Sequence, residues 1–318
     1  MIWLIGCNGM LGREVARQLK ENNLSFVGTD KEVDITNPDA LDAYQKNLMT
    51  SFYSLDSKLP ESEKSISWII NCSAYTNVDK AEEDTELAAK LNTEGPLNIA
   101  RVARKLGAKL IHISTDYVFG GDGNEPYTEN MEKHPLGVYG KTKADGEDAI
   151  EKEMVQYYIL RTAWLYGFEG INFVYTMTKA MNNRDEVKVV NDQFGSPTCT
   201  VDLANAIITI INKTNNAKGF FGSNSTPAFG IYHFTNEGQT TWFEFAQAIY
   251  KYGRKYKRIT KDCAVNPCTT AEFGAKVKRP AYSVLSKEKI QKELKIKIPN
   301  WEKSLKNFMK SKRFEIKK

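Results

Sequence analysis

The stretch Ile2-Trp3-Leu4-Ile5-Gly6-Cys7-Asn8-Gly9-Met10-Leu11-Gly12 decides the fold. Four apolar residues run without a break into G-x-x-G-x-x-G, and Leu11, Val15 and Leu19 then recur at helical spacing. A short apolar run ending in glycine reads as a buried strand, and the 3–4 spacing as a helix over 10–20. Glycines at that junction allow a tight turn and let the backbone approach a pyrophosphate, while the helix N-terminus offers N–H groups and partial positive charge. This makes Gly6, Gly9, Met10, Leu11 and Gly12 the candidate phosphate loop.

Working outward, 24–28 reads as a second strand, and Asp30 follows 18 residues after Gly12. An acidic side chain there accepts hydrogen bonds from an adenosine ribose. The alternative, a tight turn and a surface aspartate, lacks the flanking strand and helix. Asp34 and Ile35 stand where the chain would flank the adenine. Asp30 favours a free ribose 2′-OH, while Lys31 beside it can offset a 2′-phosphate, so the cofactor is expected to be NADPH or NADH.

Further strands are expected at 68–71, 109–114 and 157–160, with helices at 39–48, 88–106 and 139–152; Asn37-Pro38 opens the first of these helices. Alternating β-α units with apolar strands predict an α/β fold, a Rossmann-type doubly wound parallel sheet whose ligand edge lies at the strand C-termini. The polar stretch 50–67 reads as a surface insertion. Strands at 187–190 and 231–234 and helices at 202–211 and 242–250 follow. Residues 1–165 are expected to form the dinucleotide-binding domain, with segments near 187–212 and 231–250 returning to it. Residues 166–318 would form mainly a smaller, partly interleaved substrate-binding lobe.

Composition narrows the class. Hydrophobic residues make up 41% and charged residues 26% of 318, ordinary globular usage. The apolar start lacks a basic leader and reads as a strand rather than a signal peptide, and no apolar run is long enough to span a membrane. The net charge of +5 resides entirely in residues 302–318, so the body has no basic stripe for nucleic acid. Five scattered cysteines point to a reduced, cytoplasmic protein. The three histidines (His112, His134, His233) are too dispersed for a Ser-His-Asp triad or a His metal site and read as structural.

Tyr139-Gly140-Lys141-Thr142-Lys143 is Y-x-x-x-K, which puts Tyr139 and Lys143 on one helical face. Ser114-Thr115-Asp116 ends the fourth strand at the same edge. Such pairs arise by chance; the glycine loop and the hydroxyl-bearing strand end give this one weight. A phenol, a hydroxyl and an ammonium suit carbonyl reduction. Tyr139 would protonate the new alkoxide and Thr115 would bond the carbonyl oxygen. Lys143, about 5 Å away at an effective dielectric of about 20, would lower the phenol by about two pK units.

Together these residues resemble the extended short-chain dehydrogenase/reductase family. So do Asn71-Cys72-Ser73-Ala74-Tyr75-Thr76-Asn77-Val78-Asp79, Ser114-Thr115-Asp116-Tyr117-Val118-Phe119, Arg161-Thr162-Ala163-Trp164-Leu165-Tyr166, Asp192-Gln193-Phe194-Gly195-Ser196-Pro197 and Lys278-Arg279-Pro280. Within that family the strings are similar to reductases of dTDP-linked 4-keto-6-deoxy sugars. The resemblance implies that Ala74, Tyr75 and Thr76 run along the cofactor, and that Tyr139 and Lys143 touch it. It implies that Thr115, Asp116, Trp164, Asp192, Gln193 and Arg279 contact a dTDP-sugar. Tyr117 stands where the family's dehydratases carry a glutamate, which implies reduction without elimination. Some members pair as dimers through divalent ions, which makes a Mg2+ at a subunit interface conceivable with Glu14 as a ligand, though no metal site is assigned to this chain; a monomer or homodimer is expected. The competing readings are a non-catalytic regulatory subunit, like those of methionine adenosyltransferase, or an enzyme of another nucleotide sugar.

Overall fold

A computed structural model describes residues 1–53, 60, 63–216, 227–275 and 277–315. Its first half runs β1 (Ile2–Ile5), α1 (Met10–Glu21), β2 (Phe26–Thr29), α2 (Pro38–Phe52), β3 (Trp68–Asn71), α3 (Val78–Ala81) and α4 (Thr85–Ala89). Then come α5 (Gly95–Leu106), β4 (Lys109–Thr115), α6 (Val138–Glu153) and β5 (Tyr157–Thr162). The second half contributes β6 (Leu165–Tyr166), α7 (Phe173–Asn183), β7 (Glu186–Val190), β8 (Phe194–Gly195), β9 (Thr198–Cys199), α8 (Thr200–Asn215) and β10 (Gly230–His233). It ends with β11 (Thr240–Thr241), α9 (Trp242–Lys255), β12 (Ala264–Cys268), α10 (Thr270–Phe273), α11 (Glu288–Leu294) and α12 (Trp301–Lys310).

Six parallel strands form the main sheet in the order β10-β5-β4-β3-β1-β2. Helices cover both faces, so the central strands are apolar on both sides. Leu4, Ile70 and Leu160 pack against Val15 of α1 and Leu203 and Ile207 of α8. Ile5, Ile69 and Leu110 pack on the other side against Leu41, Ile99 and Ile150 of α2, α5 and α6. Asn37 caps α2, accepting from the Asp39 and Ala40 amides, with Pro38 in the first turn as the sequence predicts.

Four details differ from the sequence reading. Leu24 lies outside β2, because its amide closes α1 by donating to the Leu19 carbonyl. The helix α2 runs past residue 48 to Phe52, into the start of the expected insertion, of which 54–59 and 61–62 lie outside the described residues. The expected helix over 88–106 is interrupted by a π-helical turn, Lys90–Glu94, that carries the buried Asn92. Finally, 187–190 do not rejoin the main sheet. As β7 they pair with β12, and with α7, α9 and α12 they belong to a second core around Phe245, Ile249, Leu305 and Phe308. The segments that do return are α8, packed on α1, and β10, paired with β5.

Candidate active site

The chain leaves β1 at Gly6, and α1 starts at Met10 with Gly9 as an N-cap that provides no side-chain acceptor. Gly12 lies against that loop: a Cβ there would sit 2.0 Å from the Gly6 carbonyl oxygen, so any side chain would drive helix and loop apart. The Asn8 amide donates to Asp30 Oδ2 at 3.0 Å, tying the loop to the end of β2. Gly6, Gly9, Met10 and Leu11 face a cleft of about 950 Å3 along the strand C-termini, with Asp30, Lys31, Asp34 and Ile35 at the same end. The apolar Val33, Ile35 and Leu91 give that end a slot for a flat ring. Ala74 and Thr76 line the cleft midway, and Thr115, Asp116, Tyr117, Tyr139, Lys143, Trp164 and Arg279 line its far end.

Tyr139 reaches the ligand edge because α6 begins almost in contact with the turn after β4. A Cβ on Gly140 would lie 2.2 Å from the Tyr117 carbonyl oxygen. The Tyr139 ring meets Tyr117 edge-on, 5.6 Å between centroids at 75°, and Thr115 lines the cleft beside it. Burial pushes the phenol above its ordinary value; the nearby Thr115 hydroxyl opposes this, and Asp116 and Tyr117 add to it. The expected lowering by Lys143 is therefore corrected. Burial raises the phenol with no offsetting contribution from Lys143, whose Nζ is engaged elsewhere, donating to the Ile113 carbonyl at 2.7 Å and lying 3.2 Å from His112 Nε2. Burial also draws Lys143 down to about 8.

Asp116 is 2% exposed, and burial raises its carboxyl to about 6. Its Oδ1 accepts from Thr115 Oγ1 at 3.0 Å. Asp116 Oδ2, Ser114 Oγ and Thr162 Oγ1 belong to cleft-lining residues and are buried without a hydrogen-bond partner among the described residues. Buried polar atoms usually have partners, so these three leave unmet hydrogen-bonding capacity in the wall of the cleft. With the close-packed glycine loop and Asp30, the residues present fit a nicotinamide dinucleotide.

Trp164 adopts a left-handed backbone, φ 47°, rare for a bulky residue and a mark of a functional constraint. Its indole stacks on Trp242, 3.7 Å between centroids at 12°, and both face the cleft. Arg279 lines the cleft. Its Nη2 donates to both Asp79 carboxylate oxygens, at 3.1 and 3.0 Å, and its Nη1 to the Tyr117 hydroxyl at 3.2 Å.

Several expected site residues lie elsewhere. The Tyr75 hydroxyl turns away to Asp84 at 2.7 Å, and only its backbone, held by Asn92, follows the cleft edge. The Asp192 carboxylate accepts from the Thr270 amide and hydroxyl, and Gln193 donates to that hydroxyl at 3.0 Å, so both brace α10 instead of lining the cleft. Glu14 is committed to Arg17, Gln18 and Arg313, which leaves it unsuited to a Mg2+. Among the described residues no His, Cys, Asp or Glu group is gathered for a metal.

The sequence reading missed Trp242, Asn92 and His112. Trp242 and Asn92 carried no spacing signal. His112 did, as the one polar side chain in the interior of the apolar strand 109–114.

Comparison with known proteins agrees with this geometry. The family model described as the RmlD substrate binding domain matches residues 1–314. A dTDP-4-dehydrorhamnose reductase of Aggregatibacter actinomycetemcomitans is 38% identical over 306 residues, covering 96% of each chain. The crystal structure of a Clostridium acetobutylicum dTDP-4-dehydrorhamnose reductase superposes with a TM-score of 0.81 at 40% identity, covering 97% of this chain and 98% of that one. A Bacillus anthracis dTDP-4-dehydrorhamnose reductase in complex with NADP gives 0.81 at 35% identity, covering 96% and 97%. With its full-length match and a cleft built on these elements, the chain belongs to the RmlD substrate binding domain family.

Proposed function

We propose that the protein reduces the 4-keto group of dTDP-4-dehydrorhamnose to give dTDP-L-rhamnose, with NADPH or NADH as reductant. The observation that carries this is the meeting of Tyr139, Thr115 and Lys143 in one cleft with the glycine loop and Asp30. Gly9, Met10 and Leu11 would hold the pyrophosphate at the α1 N-terminus, Asp30 the adenosine ribose, and Lys143 the nicotinamide ribose. The reduced nicotinamide, when bound, supplies the hydride. The chain's own part is positioning and proton delivery. Thr115 would donate to the carbonyl oxygen, and Tyr139, protonated throughout the neutral range, would hand its proton to that oxygen as it becomes an alkoxide. Asp116 would accept a sugar hydroxyl, Trp164 would wall the sugar, and Arg279 would exchange Asp79 for the diphosphate, whose oxygens its planar fork can bridge.

Lys31 beside Asp30 supports NADPH as an acceptable cofactor. The five free thiols support a reducing, cytoplasmic setting, and we take the enzyme to act there as a monomer or homodimer. Residues 1–165 with α8 and β10 would hold the cofactor, and the remainder the sugar nucleotide. Presence of Tyr139, Thr115 and Lys143 together favours an enzyme over a regulatory subunit. The test is cofactor oxidation on adding dTDP-, UDP- or GDP-linked 4-keto sugars. Consumption with the dTDP-sugar alone supports the proposal; equal rates with UDP- or GDP-sugars, or none with any, overturns it.

A further inference from the structure

A line of buried polar groups runs behind the catalytic lysine, from β3 through β4 to α6. Asn71 and His112 are register partners on adjacent parallel strands, so their side chains leave the same face of the sheet. That is the face on which α6 lies, with Lys143 on its inner side. Asn71 and His112 are fully buried, and Lys143 is 2% exposed.

Hydrogen-bond directions along this line are fixed from one end. Asn71 Oδ1 accepts from the Ser73 backbone amide at 3.0 Å and from the Ser73 hydroxyl at 2.6 Å. A backbone amide can only donate, so the orientation of the Asn71 carboxamide is determined and its Nδ2–H2 faces His112 Nδ1, 3.0 Å away. Nδ1 must then be an acceptor, and the ring of a neutral histidine carries its proton on Nε2. Burial disfavours a charged imidazole, which keeps the ring in this neutral form. Nε2 points at Lys143 Nζ, 3.2 Å away. An ammonium has no lone pair to receive that proton, whereas an amine has one and can still donate to the Ile113 carbonyl.

We propose that His112 is a positioning residue for the reductase reaction: locked by Asn71 into its Nε2–H tautomer, it donates to Lys143 and favours the uncharged amine of that lysine. Other charged groups near Lys143 act the opposite way or are already balanced. Glu147, one turn along α6, favours the ammonium but is paired with Arg161 of β5 and Lys133. Cys72, just after β3, also favours it, and Asp116 and Tyr117 face Tyr139 across the turn after β4. The proton placement of the lysine is thus divided between a carboxylate on its own helix and a histidine on the sheet beneath it. The inference rests on the proposed reaction for its kinetic consequence and on geometry alone for its tautomer.

Two measurements test it. In protein with 15N-labelled histidine rings, long-range proton–nitrogen correlation should show His112 neutral and protonated on Nε2 from pH 6 to 9. A ring protonated on Nδ1 overturns the proposal, and this readout needs no turnover, so it stands apart from the assignment of substrate. The second is the pH profile of NADPH-dependent reduction by His112→Phe. If the reaction uses the ammonium to balance the tyrosinate left by proton transfer, activity falls as pH rises through the lysine's titration. Losing the Nε2–H donor should move that alkaline limb upward by about one pH unit, the scale of one hydrogen bond. A limb that stays in place or moves down, in a folded variant, contradicts the role.

Discussion

Replacing Tyr139 with phenylalanine removes one oxygen from the cleft and little else. The ring keeps its edge-on contact with Tyr117, and the close approach of Gly140 to the Tyr117 carbonyl is unaltered. What is lost is the phenolic hydroxyl in the cleft beside Thr115 and the proton it carries. A positioned general acid contributes on the order of 10²–10⁴ in rate, equivalent to about 3–5 kcal/mol of barrier. The Thr115 hydroxyl remains and can donate to the carbonyl oxygen, so the lower half of that range is expected for kcat. Cofactor affinity should change by less than about threefold, since the glycine loop and Asp30 are remote from the change. The assay is steady-state oxidation of NADPH with the dTDP-sugar, alongside cofactor binding by protein fluorescence quenching. Turnover within about threefold of the parent would refute Tyr139 as the proton donor.

Three further outcomes follow from the same geometry. Asp116 is raised to about 6 by burial; a raised carboxyl keeps a proton that the unfolded chain releases, so this group's effect on stability worsens as pH climbs from about 4 to 6 and is fully felt above that. Asp116→Asn should therefore raise the melting temperature at pH 7 while lowering activity, and a lower melting temperature there would refute the burial argument. Glu147 is fully buried and pairs with the buried Arg161 at 2.7 Å; Glu147→Ala should cost about 3–5 kcal/mol in urea unfolding, because it strands a buried guanidinium, and a cost below about 1 kcal/mol would contradict this. Asp79→Asn should free Arg279 from its competing carboxylate and lower KM for the dTDP-sugar by about two- to fivefold, the scale of a partly exposed ion pair; an unchanged or higher KM would argue that Arg279 does not meet the diphosphate.

The parallel sheet and the glycine turn at the cleft were legible in the sequence because their determinants are local. An apolar run meeting glycine, a helix with one apolar face and an acid at the next strand end need no tertiary information. That Tyr139, Lys143 and Thr115 share one cleft was legible because helical spacing and a strand end fix their direction. Asp192 and Gln193 were misread because a polar turn looks alike whether it lines a cleft or braces a short helix; Thr270, nearly eighty residues on, takes their hydrogen bonds. Strand 187–190 was misplaced for a related reason, since its partner β12 lies far along the chain and its pattern carries no address. Spacing put Tyr139 and Lys143 on one helical face but did not give the burial that raises the phenol and lowers the lysine.

The central claim is that this cleft brings hydride to C4 of a dTDP-linked keto sugar while Tyr139 protonates the oxygen. It is tested most directly by turnover with NADPH deuterated at the transferred position, followed by NMR of the sugar product. Deuterium at C4 of dTDP-L-rhamnose, one per cofactor oxidised, is the expected result. Deuterium at any other carbon, or cofactor bound but never oxidised in the presence of the keto sugar, would contradict it.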